Sequence, residues 1–275
     1  MAAPAGCRIY SVNIDAELLQ GTSELSVCLL QTPPPTPEQI VSGTAAERTR
    51  AFFESFFEKD PVTGVSSRLA QMVDDDHRVV VILIPEFAIS LPNWQYLDTV
   101  IRESRKPLIV IGGLGVISAA DILSWSKEDG DSLRELAFPA SDGFGSQTIK
   151  YNAGSCWIHL PGQQTRCLLF LKNYLERASE AIDVPGLRGG RFILSLNARD
   201  LSIYPLICAE FTCDQNNGRP LDRVKDGIES QNMQRRFLIT CIAYERYPYH
   251  ALWQKGIRRS VECRDNVLTL ICNTA

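Results

Sequence analysis

Uninterrupted apolar runs, rich in β-branched residues, recur along the chain and predict a deeply buried sheet. The four most pronounced end at residues 84, 111, 171 and 208. Runs of this kind are typical of strands that are covered on both faces. Shorter apolar or alternating runs predict further strands, at residues 7–14, 24–31, 147–161, 189–200, 237–244 and 266–274.

Helical patterns lie between these runs. Residues 44–57 begin with a Thr and carry aromatic side chains every three to four positions, and residues 94–104 are amphipathic. We also expect a helix near residues 230–240 and another over residues 250–265. Because strands and helices alternate and no flexible linker or internal repeat divides the chain, we expect one α/β domain over residues 1–275.

Composition and charge narrow the classes of function. Hydrophobic residues make up 45% of the chain and charged residues 22%, with a net charge of -4 and a pI near 5.5. Nucleic-acid binders usually carry a concentrated basic surface, so we expect a small neutral or cationic ligand and no nucleic acid. The sequence has no bilayer-length apolar run and no secretion signal at its start, so we expect a cytoplasmic protein without a membrane anchor.

The cysteines and histidines set further limits on the chemistry. Nine cysteines occur without a C-x-x-C pair, which argues against a disulfide framework and against the common zinc sites. Most should therefore be buried, reduced thiols. Only three histidines are present, so few residues could activate a nucleophile as histidine does.

Three reactive side chains stand where apolar strands end. Glu86 follows one such run, Lys172 another, and Cys208 closes a third. A thiol could attack a carbonyl or nitrile carbon while the carboxylate moves protons and the ammonium holds the developing negative charge. The amide of Ala209 would then be a second oxyanion donor. Each residue also has an ordinary structural interpretation: a buried thiol, a salt-bridged or capping carboxylate, and an exposed lysine.

The motifs around these residues resemble those of the nitrilase superfamily of carbon–nitrogen hydrolases. The chain contains "LIPEF" at Glu86, "LKNYL" at Lys172 and "LICAE" at Cys208, in the order of that superfamily's Glu, Lys, Cys triad. The resemblance implies that Cys208 is the nucleophile, Glu86 the base and acid, and Lys172 the oxyanion stabiliser. It also implies supporting roles for Glu180, eight residues after the lysine, and for Glu210.

The same resemblance implies a fold and an activity. The expected fold is a four-layer αββα sandwich that forms homodimers or higher oligomers through the helix after the nucleophile. Since members of the superfamily continue past the position of Asn273, we expect this domain to lack their C-terminal strands unless another segment supplies them. The expected reaction is hydrolysis of a small amide, nitrile or carbamoyl compound through a thioester, with no metal or organic cofactor.

Four other interpretations remain open at this point. The chain could be a nitrilase-like scaffold or sensor inside a larger assembly, since fold and reaction are separable. A histidine could activate Cys208, from position 159 or 250. Glycines at residues 112–115 could form a nucleotide-binding loop, although an incomplete G-x-G-x-x-G favours a tight turn beside the pocket. The acidic run at residues 74–76 with His77 could bind a cation, although a solvated loop is the simpler interpretation.

Overall fold

The structure is a computed structural model that describes residues 7–14, 25–32, 35–42, 79–126, 133–139, 148–175, 184–212, 220–232, 234–244 and 250–273. Within these ranges the chain forms twelve strands and six helices, which confirms the predicted α/β class. The strands are β1 (Arg8–Asn13), β2 (Leu25–Leu29), β3 (Val79–Ile84), β4 (Leu108–Ser118), β5 (Leu133–Leu136), β6 (Lys150–His159), β7 (Arg166–Leu171), β8 (Leu187–Arg188), β9 (Phe192–Asn197), β10 (Leu201–Ile207), β11 (Arg236–Ala243) and β12 (Val267–Asn273). The helices are α1 (Pro37–Ser42), α2 (Leu91–Arg102), α3 (Ala119–Trp125), α4 (Ala209–Thr212), α5 (Pro220–Glu229) and α6 (His250–Val261).

The strands form two mixed sheets. The five-stranded sheet has the order β1-β9-β10-β11-β12, in which only the β9–β10 hairpin is antiparallel. The seven-stranded sheet has the order β2-β3-β4-β6-β7-β5, with β8 added beside β6. In the latter, β3 and β4 are parallel, whereas β6 runs antiparallel to both β4 and β7. The carboxyl ends of β3, β4 and β7 therefore lie at one edge of the seven-stranded sheet.

Three apolar clusters show how the sheets and helices pack. One joins the two sheets directly, for example Val81 and Phe170 of the seven-stranded sheet with Ile203 and Ile242 of the five-stranded sheet. A second joins the other face of the seven-stranded sheet to α2 and α3. A third joins the other face of the five-stranded sheet to α5 and to residues of α4 and α6. The buried strands are thus covered on both faces, as their apolar runs predicted.

The prediction of a helix near residues 230–240 is wrong. The helix in this region is α5, which begins at Pro220 and buries Leu221, Val224 and Ile228 at helical spacing. Residues 231, 232, 234 and 235 are instead a turn, and the chain enters β11 at Arg236. The guanidinium of Arg235 explains the turn, because it donates to the carbonyls of Ala198 and Leu201 at the turn of the β9–β10 hairpin, at 2.6 and 3.1 Å.

The prediction of a tight turn at residues 112–115 is also wrong. These residues lie inside β4, where a bulge shifts the register with β6 between Gly113 and Gly115. The glycine at position 113 permits a close approach of the turn after β3 to β4, which is described below. The helix predicted over residues 44–57 lies outside the described residues.

The described helices are short. The longest, α2 and α6, have 12 residues each, and no helix in the described part of the chain has the length and apolar character to cross a membrane.

Candidate active site

Glu86 lies directly after β3 and is fully buried. Its Oε1 accepts hydrogen bonds from Lys172 Nζ at 2.9 Å and from Asn152 Nδ2 at 2.6 Å. Its Oε2 accepts from the main-chain N–H of Tyr244 at 3.2 Å. A buried carboxylate is costly unless it is paired and hydrogen-bonded, and here both oxygens have donors.

A glycine lets Glu86 reach these partners. Gly113 occupies β4, which lies between β3 and the strands β6 and β7. Asn152 lies in β6, and Lys172 follows β7. A Cβ added to Gly113 would lie 2.4 Å from the Cα of Glu86. The Gly113 N–H donates to the Pro85 carbonyl at 3.3 Å, and the Gly113 carbonyl accepts from Ala88 and Ile89. The turn that carries Glu86 is therefore held flat against β4.

Lys172 follows β7 and is also fully buried. Its main-chain N–H donates to the carbonyl of Asn152 and its carbonyl accepts from Gly190, both at 2.8 Å. The main chain thus fixes the start of the side chain, and the ion pair with Glu86 fixes its end. One of the three donors of the ammonium is used by Glu86 Oε1.

Cys208 lies at a sharp bend between β10 and α4. Its N–H still continues the sheet by donating to the Ile242 carbonyl at 2.9 Å, whereas its own carbonyl accepts from Phe211 in α4. Between these bonds Cys208 adopts a φ of 46°, in the left-handed region that side chains other than Gly rarely adopt. Such strain is characteristic of functional sites, and it turns the thiol out of the end of the strand.

Tyr244 brings the thiol and the carboxylate together. The Cys208 thiol donates to the Tyr244 carbonyl at 3.5 Å, while the Tyr244 N–H is the donor to Glu86. The Tyr244 ring meets the ring of Phe87 edge to face, with centroids 5.7 Å apart. Phe87 itself has a φ of 59°. Both strained residues therefore flank Tyr244.

The structure thus brings together the three residues that the sequence predicted. Glu86 and Lys172 form a direct ion pair, and Glu86 and Cys208 contact the two main-chain polar groups of one residue. Lys172 and Glu86 belong to the edge of one sheet, and Cys208 to the edge of the other. The site therefore lies where the two sheets meet.

Glu210 is buried beside this group. Its Oε1 accepts from the main-chain N–H and the side-chain Nδ2 of Asn173, at 2.6 and 2.8 Å, and its Oε2 accepts from Ile207 N–H at 2.7 Å. Burial raises the pKa of Glu210 to about 7, although these three bonds and the charge of Lys172 oppose the rise. Ala209, the predicted second oxyanion donor, is the first residue of α4, where main-chain N–H groups have no partner within the helix.

The remaining predicted residues lie either outside the described residues or elsewhere in the fold. Glu180, Asp74–Asp76 and His77 lie outside the described residues, as does the side chain of His250. His159 lies in the described part of the chain, at the end of β6, where its ring nitrogens contact Thr165 Oγ1 and the Ser104 carbonyl, both at 2.8 Å. Burial lowers the pKa of His159. Both ring nitrogens are thus engaged away from Cys208.

Cys208 also differs from the four buried thiols among the described residues. All eight described cysteines are free, and Cys156, Cys167, Cys241 and Cys272 are buried. Burial raises the pKa of each of these four, that of Cys272 to about 12. Cys208 is half-buried. Since the thiolate is the nucleophile, the buried thiols are poor candidates for attack on a substrate.

Sequence reasoning missed three residues of the site. Asn152 had a detectable signal, because it is an amide within a run that predicts a strand, and a polar side chain that such a strand buries needs a partner. Gly113 had a weaker one, since a glycine within a strand often marks a close approach. Tyr244 had no signal in the sequence, because it acts through its main-chain N–H and carbonyl, and every residue except proline possesses both.

The fold and site define an α/β protein with two packed mixed sheets and, where they meet, a buried glutamate–lysine pair beside a half-buried cysteine. Its sequence matches no protein-family model and no curated protein.

The chain is similar to several solved structures, among them an amidase of the nitrilase superfamily, a CN-hydrolase superfamily protein and a glutamine-dependent NAD+ synthetase. The NitN amidase of Nesterenkonia sp. AN1 is 10% identical, with 90% of this chain and 77% of that chain covered and a TM-score of 0.46. A CN-hydrolase superfamily protein of Xanthomonas campestris is 13% identical, with 91% and 77% covered and a TM-score of 0.44. The glutamine-dependent NAD+ synthetase of Acinetobacter baumannii is 14% identical, with 90% and 38% covered and a TM-score of 0.47.

Proposed function

We propose that this chain is a carbon–nitrogen hydrolase of the nitrilase superfamily, acting on a small linear amide, nitrile or carbamoyl compound through Cys208. One observation carries the proposal: Glu86 is bound at once to Lys172 and to the main chain of Tyr244, which also accepts the Cys208 thiol. A base, a cation and a thiol within one buried network are the components that nucleophilic attack on such a carbon requires.

In the first half of the reaction, Glu86 takes the proton of the Cys208 thiol. The resulting thiolate attacks the carbonyl carbon of an amide and forms a C–S bond, and the carbonyl π electrons move onto oxygen. Lys172 and the Ala209 amide stabilise that oxyanion; removing one such donor typically costs about 3 to 4 kcal/mol of barrier. When the tetrahedral intermediate collapses, the C–N bond breaks and Glu86 returns its proton to the departing amine.

In the second half, water cleaves the thioester. Glu86, again ionised, accepts a proton from the attacking water. When the C–S bond breaks, Glu86 returns that proton to the departing Cys208 thiolate, and the acid product is released. The same carboxylate thus acts twice as base and twice as acid. Both carboxylate oxygens of Glu86 accept hydrogen bonds. This supports the role, because these bonds hold the carboxyl group in place while it gains and loses a proton.

The burial of the Glu86–Lys172 pair supports the proposal further. A salt bridge serving only stability has little advantage in a buried site, where the desolvation of two charges offsets their attraction. The strained backbone at Cys208 points in the same direction, because left-handed geometry at a cysteine costs energy without improving the core.

The test has two parts. A panel of small amides, nitriles and carbamoylated amines is screened for release of ammonia or amine, and the chain is treated with an electrophile followed by peptide mass spectrometry. We expect turnover of at least one class, with a covalent adduct on Cys208. Cys208→Ala should abolish both results, whereas Cys241→Ala, which removes a buried neighbouring thiol, should keep them.

Inactivity of a folded protein toward the whole panel, combined with no preferential labelling of Cys208, would contradict the proposal. That outcome would favour a nitrilase-like scaffold or sensor. Glu180, as a substrate-orienting residue, and a homodimer remain predictions of the resemblance. They are tested by Glu180→Gln kinetics and by the mass of the protein in solution.

A further inference from the structure

We propose that Glu210 is a positioning residue that fixes Cys208 relative to Lys172 when its carboxyl group is ionised and releases that constraint when it is protonated. The inference rests on the proposed function, since it concerns the geometry of the same site. It assigns to Glu210 a control of nucleophile reactivity by pH, which the mechanism above does not require.

The contacts of Glu210 span the two sheets. Through Oε2 it holds the N–H of Ile207, the last residue of β10 and the neighbour of Cys208. Through Oε1 it holds both the main chain and the side chain of Asn173, the neighbour of Lys172. One carboxyl group therefore connects the residue before the thiol in the five-stranded sheet with the residue after the ammonium beside the seven-stranded sheet.

All three partners of Glu210 are N–H groups. An ionised carboxylate accepts hydrogen bonds at both oxygens, whereas a protonated carboxyl group converts one of them into a donor. Two of the contacts would remain if the proton were on Oε2, and one if it were on Oε1. The observed set of bonds therefore corresponds to the ionised form.

Burial disfavours the ionised form of Glu210. Glu210 is 1% exposed, and its pKa is raised to about 7. The charged and titratable groups that act on it come from several elements: Lys172 after β7 favours ionisation, while the thiols of Cys7 before β1 and Cys241 in β11 interact with its charge. The carboxyl group is thus balanced between its two forms near neutral pH.

The test measures the alkylation of Cys208 by iodoacetamide, which needs no knowledge of the natural substrate. In this reaction the thiolate displaces iodide and forms a C–S bond, so the rate reports how much reactive thiolate is present. Rates are measured from pH 5.5 to pH 9 for the full chain, by quantifying the Cys208 peptide by mass spectrometry. The variants are Glu210→Gln, Asn173→Ala and, as matched control, Glu135→Gln in β5.

For Glu210→Gln we expect a ratio of variant to wild-type rate near one at pH 5.5, falling to about one tenth at pH 8.5, with a midpoint near 7. A glutamine has one acceptor oxygen and cannot hold both Asn173 and Ile207, and a misplacement of about 1 Å can cost as much as 100-fold in rate. Asn173→Ala removes only one of the three bonds, so it should show a smaller change, with a midpoint shifted to higher pH because the lost bond favours the ionised form. Glu135→Gln should follow the wild type at every pH.

A constant ratio across the pH range, at one or at any lower value, would overturn the proposal, because a merely structural role would not follow the ionisation of Glu210. If the thermal melt shows that Glu210→Gln does not fold, Asn173→Ala provides the test. A constant ratio of its alkylation rate to that of the wild type across the pH range would then overturn the proposal. Failure of the proposed function is recognised separately: Glu86→Gln would then label at the wild-type rate, whatever Glu210 does.

Discussion

Gly113 and Glu86 lie closer together than any residue with a side chain would allow, since a Cβ at position 113 would be 2.4 Å from the Cα of Glu86. The neighbouring atoms are main chain and cannot rotate away. The strand β4 therefore has to carry a glycine where the turn after β3 crosses it.

Gly113→Ala should displace Glu86 from Lys172 and Asn152. We expect a loss of about 1 to 3 kcal/mol in the free energy of unfolding from overpacking and a fall of about 100-fold in the rate of Cys208 alkylation. Chemical denaturation and peptide mass spectrometry measure the two effects.

Gly112→Ala is the matched control. Its Cβ would meet the terminal Cδ1 of Ile89, at 2.4 Å, rather than the main chain of Glu86. This variant should lose stability to a similar extent but keep the reactivity of Cys208. Equal reactivity losses in the two variants would show that Gly113 serves only the packing of β4.

The ion pair of Glu86 and Lys172 gives a second prediction. Lys172→Met leaves a buried carboxylate without its cation, which should lower the free energy of unfolding by about 3 to 5 kcal/mol. The double variant Glu86→Gln, Lys172→Met removes both charges and should recover a large part of that loss. Denaturant titrations of Lys172→Met, of Glu86→Gln and of the double variant measure the coupling.

A half-exposed ion pair provides the comparison. Glu135 contacts Arg166 at 2.8 Å, and their side chains are 32% and 27% exposed. Glu135→Gln should cost less than about 1 kcal/mol, because solvent screens such pairs. A loss in Lys172→Met no larger than this would mean that the Glu86–Lys172 pair is not desolvated as the structure describes it.

The positions of the three main site residues were predictable because each ends a strongly apolar strand. In the structure the strands before Glu86 and Lys172 end at the same edge of the seven-stranded sheet. The expectation that these residues meet rested on the resemblance of their motifs to those of the nitrilase superfamily. The partner of the thiol was not predictable. Tyr244 contributes its N–H and carbonyl, and these depend on where β11 ends rather than on the side chain.

The boundaries of α5 show a similar limit. Residues 230–240 have helix-forming composition, but Arg235 finds better partners in the carbonyls of the β9–β10 hairpin. Such long-range bonds override local propensity. Residues 220–229 were overlooked, although Pro220 at the first helical position and the spacing of Leu221, Val224 and Ile228 were visible in the sequence.

Glu210 gives a third prediction, on stability. Its pKa is 4.5 in the unfolded chain and about 7 in the folded protein, so between these values the folded state binds the proton more tightly. Stability should therefore decrease as pH rises from 4.5 to 7, by up to about 3 kcal/mol from this group. Glu210→Gln lacks the titration, and its free energy of unfolding should vary less over the same interval. If the free energy of unfolding changed with pH equally in the wild type and in Glu210→Gln, the raised pKa of Glu210 would be contradicted.

The last prediction concerns His159 and distinguishes activation of Cys208 by a histidine from activation by Glu86. If a histidine activated Cys208, the described histidine ring should approach the thiol, but His159 is held by Thr165 and Ser104 at the far end of β6. Because burial lowers the pKa of His159, the unfolded chain binds the proton more readily, and the wild type should lose stability as pH falls below about 6.5. His159→Gln should reduce this acid sensitivity and leave the alkylation rate of Cys208 unchanged at pH 8. A rate that fell as far as in Glu86→Gln would instead give His159 a part in the activation of Cys208 and contradict a mechanism that needs no histidine.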